Sequence, residues 1–145
     1  MNEDSYEFTL SRTEYRYEFV SVSAKKEVKK VVLFSQTESR DIFNLALLDL
    51  LDDGGLSDLS ETKNADLKVV LATVFKIIID FLNRNLNCFV AFKGSDERRQ
   101  RLYRIAISGN LAEISNEYQV LGSLANAVEF FEPNKSYDYY IITKI

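Results

Sequence analysis

The chain has 145 residues, 46% of them apolar, with 18 basic and 22 acidic side chains and a formal net charge of −4. That much apolar material excludes a disordered tail and supports one compact core, and no run approaches the roughly 20 apolar residues of a spanning helix. Histidine is absent and cysteine occurs once, which excludes His-based acid–base catalysis, Cys–His dyads, zinc clusters and intrachain disulfides together.

The opening MNEDSYEFTLSR is acidic and carries neither a positive leader nor an apolar stretch of signal-peptide length. The expectation is a cytosolic protein of one domain over 1–145, with 1–12 flexible. The segments 14–22 (EYRYEFVSV) and 28–35 (VKKVVLFS) are rich in aromatic and β-branched residues and flank the polar tract SAKKE, which is a hairpin signal. Tyr15, Tyr17 and Phe19 alternate with Arg16 and Glu18, but the apolar phase then passes to Val20 and Val22. Such a switch predicts a bulge or burial on both faces. A third strand is expected over 43–50, stopped by LDDGGLSD, where glycines permit positive φ and aspartates form Asx turns.

From Ala65 to Arg84, Leu67, Val70, Leu71, Val74, Ile77, Ile78 and Phe81 follow the i, i+3, i+4, i+7 spacing of a helical face, with Asn64 as N-cap. Val69, Phe75 and Ile79 widen the stripe. A helix of this kind is covered by sheet on one side and by a neighbouring segment or a second copy of the chain on the other. A short strand over 88–92 follows, in which Cys88 reads as a buried, reduced hydrophobe rather than a nucleophile. Ser95 or Asp96 then caps a helix through ERRQRLYRIAIS that Gly109 stops. Asn110 with Glu113 matches a capping box for a second short helix over 111–118. Two strands near 119–124 and 137–143 close the chain, with the only proline, Pro133, between them.

The order β-β-β-α-β-α-α-β-β predicts an α+β fold with a mixed or antiparallel sheet and a long amphipathic helix packed on it. By analogy alone, a three-stranded meander followed by helix, strand and helix also matches the opening of the ribonuclease H-like fold.

Chemically, the densest segment runs from Lys93 to Arg104 and holds five positive and two negative charges in an otherwise acidic chain. With a strand ending at Lys93 and a helix beginning after Ser95, first-turn backbone donors, the Ser95 hydroxyl and nearby guanidinium groups converge on a point suited to phosphate or carboxylate. The candidate anion-binding set is Lys93, Gly94, Ser95, Arg98, Arg99, Arg101 and Arg104. Arg101 and Arg104 share a helical face, with Arg98 and Arg99 on adjacent flanks, so only some of the four serve one ligand. The plainer reading pairs Glu97 with Arg101 on a solvated face. Lys25, Lys26, Lys29 and Lys30, with Glu27, form a second basic tract, read as edge protection. If the two tracts adjoin, they follow a phosphate backbone, with Tyr15, Tyr17 and Tyr103 stacking on bases.

The acidic tract of Asp49, Asp52, Asp53 and Asp58 lacks the order of an EF-hand and reads as a turn. Glu18 and Asp80 stand where two carboxylates of a ribonuclease H-like metal site belong, but the fourth strand ends in Phe92-Lys93, with Asp96 past the cap. No metal or cofactor is expected. A histidine-free ribonuclease is the catalytic alternative, with Arg101 and Arg104 on phosphate and Tyr103 as proton donor.

The phrases YEFVSVSAKKEVKKVVLFS, NLALLDLLDDGGLSD, VLATVFKIIIDF and VAFKGSDERRQRLYRIAISGNLAEI resemble successive blocks of a family of small uncharacterised Bacteroidetes proteins, a domain of unknown function. The likeness runs from Tyr17 to Ile114. It is strongest at Lys93-Gly94-Ser95, Arg99, Arg101-Leu102-Tyr103-Arg104, and at Asn44-Leu45-Ala46 with Asp49, before which the family often has glycine and this chain has Leu48. The resemblance implies a bacterial cytosolic protein and no activity. The first functional expectation is therefore a non-enzymatic binding protein for an anionic partner, nucleic acid or an acidic protein surface, with a homodimer compatible with the widened stripe. The others are the ribonuclease and a structural or regulatory partner in a bacterial defence or toxin–antitoxin operon.

Overall fold

The computed structural model describes residues 4–11, 15–22, 27–57 and 66–145. Lys25, Lys26, Asp58, Asn64 and Ala65, all named above, and Glu14, the first residue of the segment 14–22, lie outside the described residues.

Aromatic and β-branched segments build most of the strands. In chain order the elements are β1 (Phe8–Ser11), β2 (Arg16–Val22), β3 (Glu27–Gln36), β4 (Ile42–Leu50), β5 (Leu56–Ser57), α1 (Leu67–Arg84), β6 (Phe89–Phe92), α2 (Glu97–Ile114), β7 (Tyr118–Leu124), β8 (Ala127–Phe130) and β9 (Tyr139–Lys144). The fold is α+β. The strands form one sheet in the order β1-β2-β3-β4-β6-β9-β7-β8, with β5 added to β4. Every pairing is antiparallel except β4 with β6, where Ile42, Phe43 and Asn44 face Phe89, Val90 and Ala91.

The predicted element order is corrected at four places. β1, β5 and β8 were not foreseen, and the two helices expected over 97–118 are a single one. Gly109 does not stop α2, because Ile107 and Ile114 are buried on either side of it and the Asn110 side chain donates back to the Ala106 carbonyl at 2.8 Å instead of capping a new helix. Gly109 is exposed and a Cβ there meets open space. Gly109→Ala is thus expected to raise stability by about 0.5–1 kcal/mol in urea unfolding, the ordinary gain of alanine over glycine inside a helix.

The β2–β3 register is unbroken from Arg16↔Leu33 to Val22↔Glu27, so neither a bulge nor two-sided burial explains the phase switch. Tyr17, Phe19 and Ser21 point to the buried face, and Val20 and Val22 are exposed on the other. Both helices lie on that buried face. Phe81 of α1 stacks on Phe34 and meets Phe43 edge-on, while Phe75 meets Phe92 and Tyr103 of α2. Of the residues that widen the stripe of α1, Phe75 is buried against Tyr103 of α2 while Val69 and Ile79 are half-buried, and the Tyr6 backbone N–H donates to Thr73 Oγ1 at 2.9 Å. The meander's third strand, β4, pairs with β6, and Glu18 faces Arg16 while Asp80 accepts from Tyr17 and Arg84. Among the described residues no three such groups gather as a metal site. No described helix is long and apolar enough to cross a membrane.

Candidate anion-binding cleft

β4 and β6 run side by side for three residues and then part. After Phe92 the chain turns through Lys93, Gly94 and Ser95 into α2, while β4 continues to Leu50 and acquires β5 only at Asp49↔Ser57. Among the described residues, no strand lies along this edge of β4 between Leu45 and Leu48. The interval opens as a cleft of about 240 Å³, walled by Leu67, Val70 and Leu71 of α1 and by Tyr103 of α2.

Its charged groups come from two directions. Lys93, Gly94, Ser95 and Arg99 supply the side facing β4. Asp96, extended at φ −148° and ψ 173°, is the N-cap of α2, and its Oδ1 accepts the Arg99 N–H at 2.8 Å. One of the first-turn donors expected to meet an external anion is therefore already used. The Arg99 guanidinium donates to Ser95 Oγ and stands 3.8 Å from Asp96 Oδ2, so it is fixed across the strand–helix junction. Lys93 is exposed at the rim.

The second direction was missed by the sequence reading. Lys30 and Asp49 are cross-strand partners in the β3–β4 ladder, and both turn toward the helices. Their side chains are 4% and 8% exposed, with Lys30 Nζ 2.5 Å from Asp49 Oδ1. Lys30 is consequently no edge-protecting surface lysine, and Asp49 is no turn residue. The available signal was a charge in the apolar phase of each strand, Lys30 in line with Val32 and Phe34, and Asp49 in line with Leu45 and Leu47. Of the second basic tract only Lys29 is a described surface lysine.

Gly94 is required by packing. A Cβ there would lie 2.3 Å from the Gln100 nitrogen and 2.6 Å from the Arg99 carbonyl carbon, both backbone atoms of α2. Its N–H donates to Gln100 Oε1 at 2.6 Å, and the Gln100 amide donates in turn to the Tyr137 and Asp138 carbonyls at 2.8 and 3.2 Å. Gln100, unremarked among the arginines, thus ties the junction to the segment before β9.

The predicted anion-binding set does not converge on one point. Arg101 and Arg104 share a face, as the 100° spacing requires, but that face lines a separate groove of about 610 Å³ with Glu97, Ser136 and Asp138. There Arg104 Nη1 donates to Ser136 Oγ at 3.1 Å. Gly94 borders both recesses, and Arg98 is exposed and lines neither. The proposed catalytic trio is divided likewise, with Tyr103 on the cleft and the two arginines on the groove. Burial pushes the Tyr103 phenol up, opposed by Arg99, which weakens it as a proton donor. Tyr17 and Tyr103 are core side chains, so of the three tyrosines proposed to stack on bases only Tyr15 is exposed, at 40%. Its ring meets Phe43 and Phe81 edge-on. Burial, then Asp41, pushes the half-buried Cys88 thiol up, away from nucleophilic character.

A family model matches residues 2–145, nearly the whole chain and all of both recesses. The chain belongs to DUF6934, a family of unknown function. No curated protein and no solved structure matches it. For this DUF6934 chain, the cleft geometry carries the functional argument.

Proposed function

We propose that the chain is a non-enzymatic binding protein that recognises an anionic partner at the cleft between β4 and the β6–α2 junction. The observation that carries this reading is the disposition of Lys93, Ser95 and Arg99 on one side of a recess whose other side holds the buried Lys30–Asp49 pair. Lys93 and Arg99 at the mouth of an apolar-walled cavity favour a carboxylate or phosphate, since a charge-assisted hydrogen bond is stronger than a neutral one, while Lys30 is balanced by Asp49 Oδ1 at 2.5 Å and adds no net charge. In this reading the protein works in the bacterial cytosol, as its resemblance to Bacteroidetes proteins suggests, and its partner is an acidic protein surface or a nucleic acid. The division of Tyr103 from Arg101 and Arg104 disfavours the ribonuclease alternative.

Titration of isotope-labelled protein with inorganic phosphate, polyglutamate and a single-stranded oligonucleotide, followed by amide chemical shifts, tests the proposal. At least one probe is expected to give saturable shifts over 93–99. Lys93→Gln with Arg99→Gln is expected to weaken it by about tenfold or more, the equivalent of one lost charge-assisted hydrogen bond. Arg101→Ala with Arg104→Ala leaves that affinity within about twofold, because those side chains line the other groove. Absence of saturation with all three probes, or equal loss in both double variants, sinks the assignment.

A further inference from the structure

The sheet ends at β8, and the chain on both sides of that strand is described without a gap from Asp66 to Ile145. The β7–β8 ladder is unbroken from Leu121↔Phe130 to Leu124↔Ala127, and the Phe131 N–H extends it by donating to the Val120 carbonyl at 3.0 Å. Alternation along the strand therefore turns the backbone groups of Ala127 and Glu129 toward β7 and those of Val128 and Phe130 outward. Among the described residues the outward groups of Val128 and the Phe130 N–H have no partner. The Phe130 carbonyl has the Tyr137 hydroxyl at 3.5 Å, which donates to Glu129 Oε2 at 3.0 Å. Val128 and Phe130 are 55% and 69% exposed on the sheet face opposite the helices, where Tyr139 is exposed beside them. Sheet ends are commonly guarded by lysine, proline, a bulge or an unpaired charge. β8 has no lysine, proline or bulge, and its one charge, Glu129, lies on the helix side. There Lys135 Nζ donates to both carboxylate oxygens at 2.8 and 2.9 Å, and Lys135, then Tyr137, hold that carboxyl below the ordinary carboxylate range.

We infer that β8 is the contact between two copies of this chain, paired antiparallel about a two-fold axis at Glu129, so that one sheet runs through both. This surface is apart from the cleft, and the inference does not rest on the anionic-partner reading. The neighbouring two-fold registers are closed. An axis at Val128 pairs Phe130 with Asn126, which sits in the turn at φ 67°. An axis at Phe130 pairs Val128 with Glu132, whose N–H already donates to the Tyr137 hydroxyl at 3.0 Å. The axis at Glu129 sets Val128 against Phe130 of the second copy, and each such pair exchanges both of its N–H···O bonds. It also places a β-branched side chain against an aromatic ring on the open face, twice over. On the helix side the two Glu129 carboxylates meet with a Lys135 beside each, so that ammonium and carboxylate groups alternate across the axis, while Glu132, 3.7 Å from Lys135, stays exposed to water. The same surface thus complements itself, as an isologous contact requires. Two strands of this length cover less than the roughly 1,000 Å² of a stable interface, so the dimer is a concentration-dependent one.

Sedimentation equilibrium of the full chain over a wide range of concentration tests the contact. The mass is expected to rise with concentration toward twice that of one chain. Phe130→Lys, at an exposed position that leaves the core untouched, raises the dissociation constant by about tenfold or more, and Val128→Lys does the same as a second variant. The register is read by cross-linking in a Cys88→Ala background. Mild oxidation joins two copies of Glu129→Cys, because opposed Cα atoms of a pair that exchanges no hydrogen bonds lie about 4.5 Å apart, within disulfide reach. Ala127→Cys stays reduced, its counterpart lying about 13 Å away along the strand. A chain that is monomeric at every concentration overturns the inference. So does a dimer that neither lysine variant weakens, and so does cross-linking as ready from Ala127→Cys as from Glu129→Cys.

Discussion

Lys30→Met lowers the stability of the fold by about 3 kcal/mol or more in urea unfolding, a large share of what holds a domain of this size together. The substitution keeps the aliphatic stem and removes only the ammonium. Asp49 is then a carboxylate at 6% exposure without the Nζ that lay 2.5 Å away. Removing one member of a buried pair costs more than the pair itself contributes, because the remaining charge keeps its desolvation penalty and loses its compensation. The double variant Lys30→Met/Asp49→Leu is accordingly expected to recover most of the loss, and the coupling in this cycle is the measured quantity. A single variant within about 0.5 kcal/mol of the parent, the range of ordinary surface changes, shows that the pair is not dry. The same double variant retains a folded protein while removing the charges opposite Lys93, which separates their part in stability from their part in ligand binding.

The second large effect is at Gly94. Gly94→Ala places a methyl group inside the van der Waals envelope of the first turn of α2, against backbone atoms that cannot rotate away. Relief requires moving the start of α2 or the end of β6. A cost of about 3 kcal/mol is expected, at the upper end for overpacking. Either movement also displaces Lys93, Ser95 and Arg99 from one another, so the affinity measured at the cleft falls beyond what the remaining folded fraction explains. Gln100→Ala provides the comparison. It removes the acceptor for the Gly94 N–H and two donors to the segment before β9, without overpacking, and is expected to cost about 1–3 kcal/mol. Urea unfolding monitored by circular dichroism orders the two.

The parts of the fold legible in the sequence are those with sustained periodicity. α1 is read from one apolar face over five turns, and β2, β3 and β4 from aromatic and β-branched runs with turn residues between them. β1, β5 and β8 have four, two and four residues, too few for a period to emerge from composition. The β7–β8 turn, Ala125 and Asn126 with both φ positive, contains no glycine to announce it. α2 was cut in two because Gly109 and Asn110 have the local chemistry of a stop and a cap, and burial of Ile107 and Ile114 outweighed that chemistry. At the cleft, Lys93, Gly94, Ser95 and Arg99 stand close in the chain and were visible as a group. Lys30 and Asp49 are 19 residues apart and meet only through the register of β3 on β4. The separation of Arg99 from Arg101 and Arg104 follows from helix geometry, but which face meets which wall depends on packing that no local pattern encodes.

The short parallel seam between β4 and β6 makes the sheet behave as two leaves. Among the described residues, β1–β4 join β6–β9 in the ladder through Ile42, Phe43 and Asn44 and the Phe89 N–H to the Asp41 carbonyl, whereas β3 and β4 are paired from Lys30 to Gln36. α1 is the spine across them, with Phe81 on one leaf and Phe75 on the other. Native-state hydrogen exchange should therefore find the amides of this seam opening ahead of those between β3 and β4. The gape of the recess is set less by the strands than by how firmly a single helix grips both leaves.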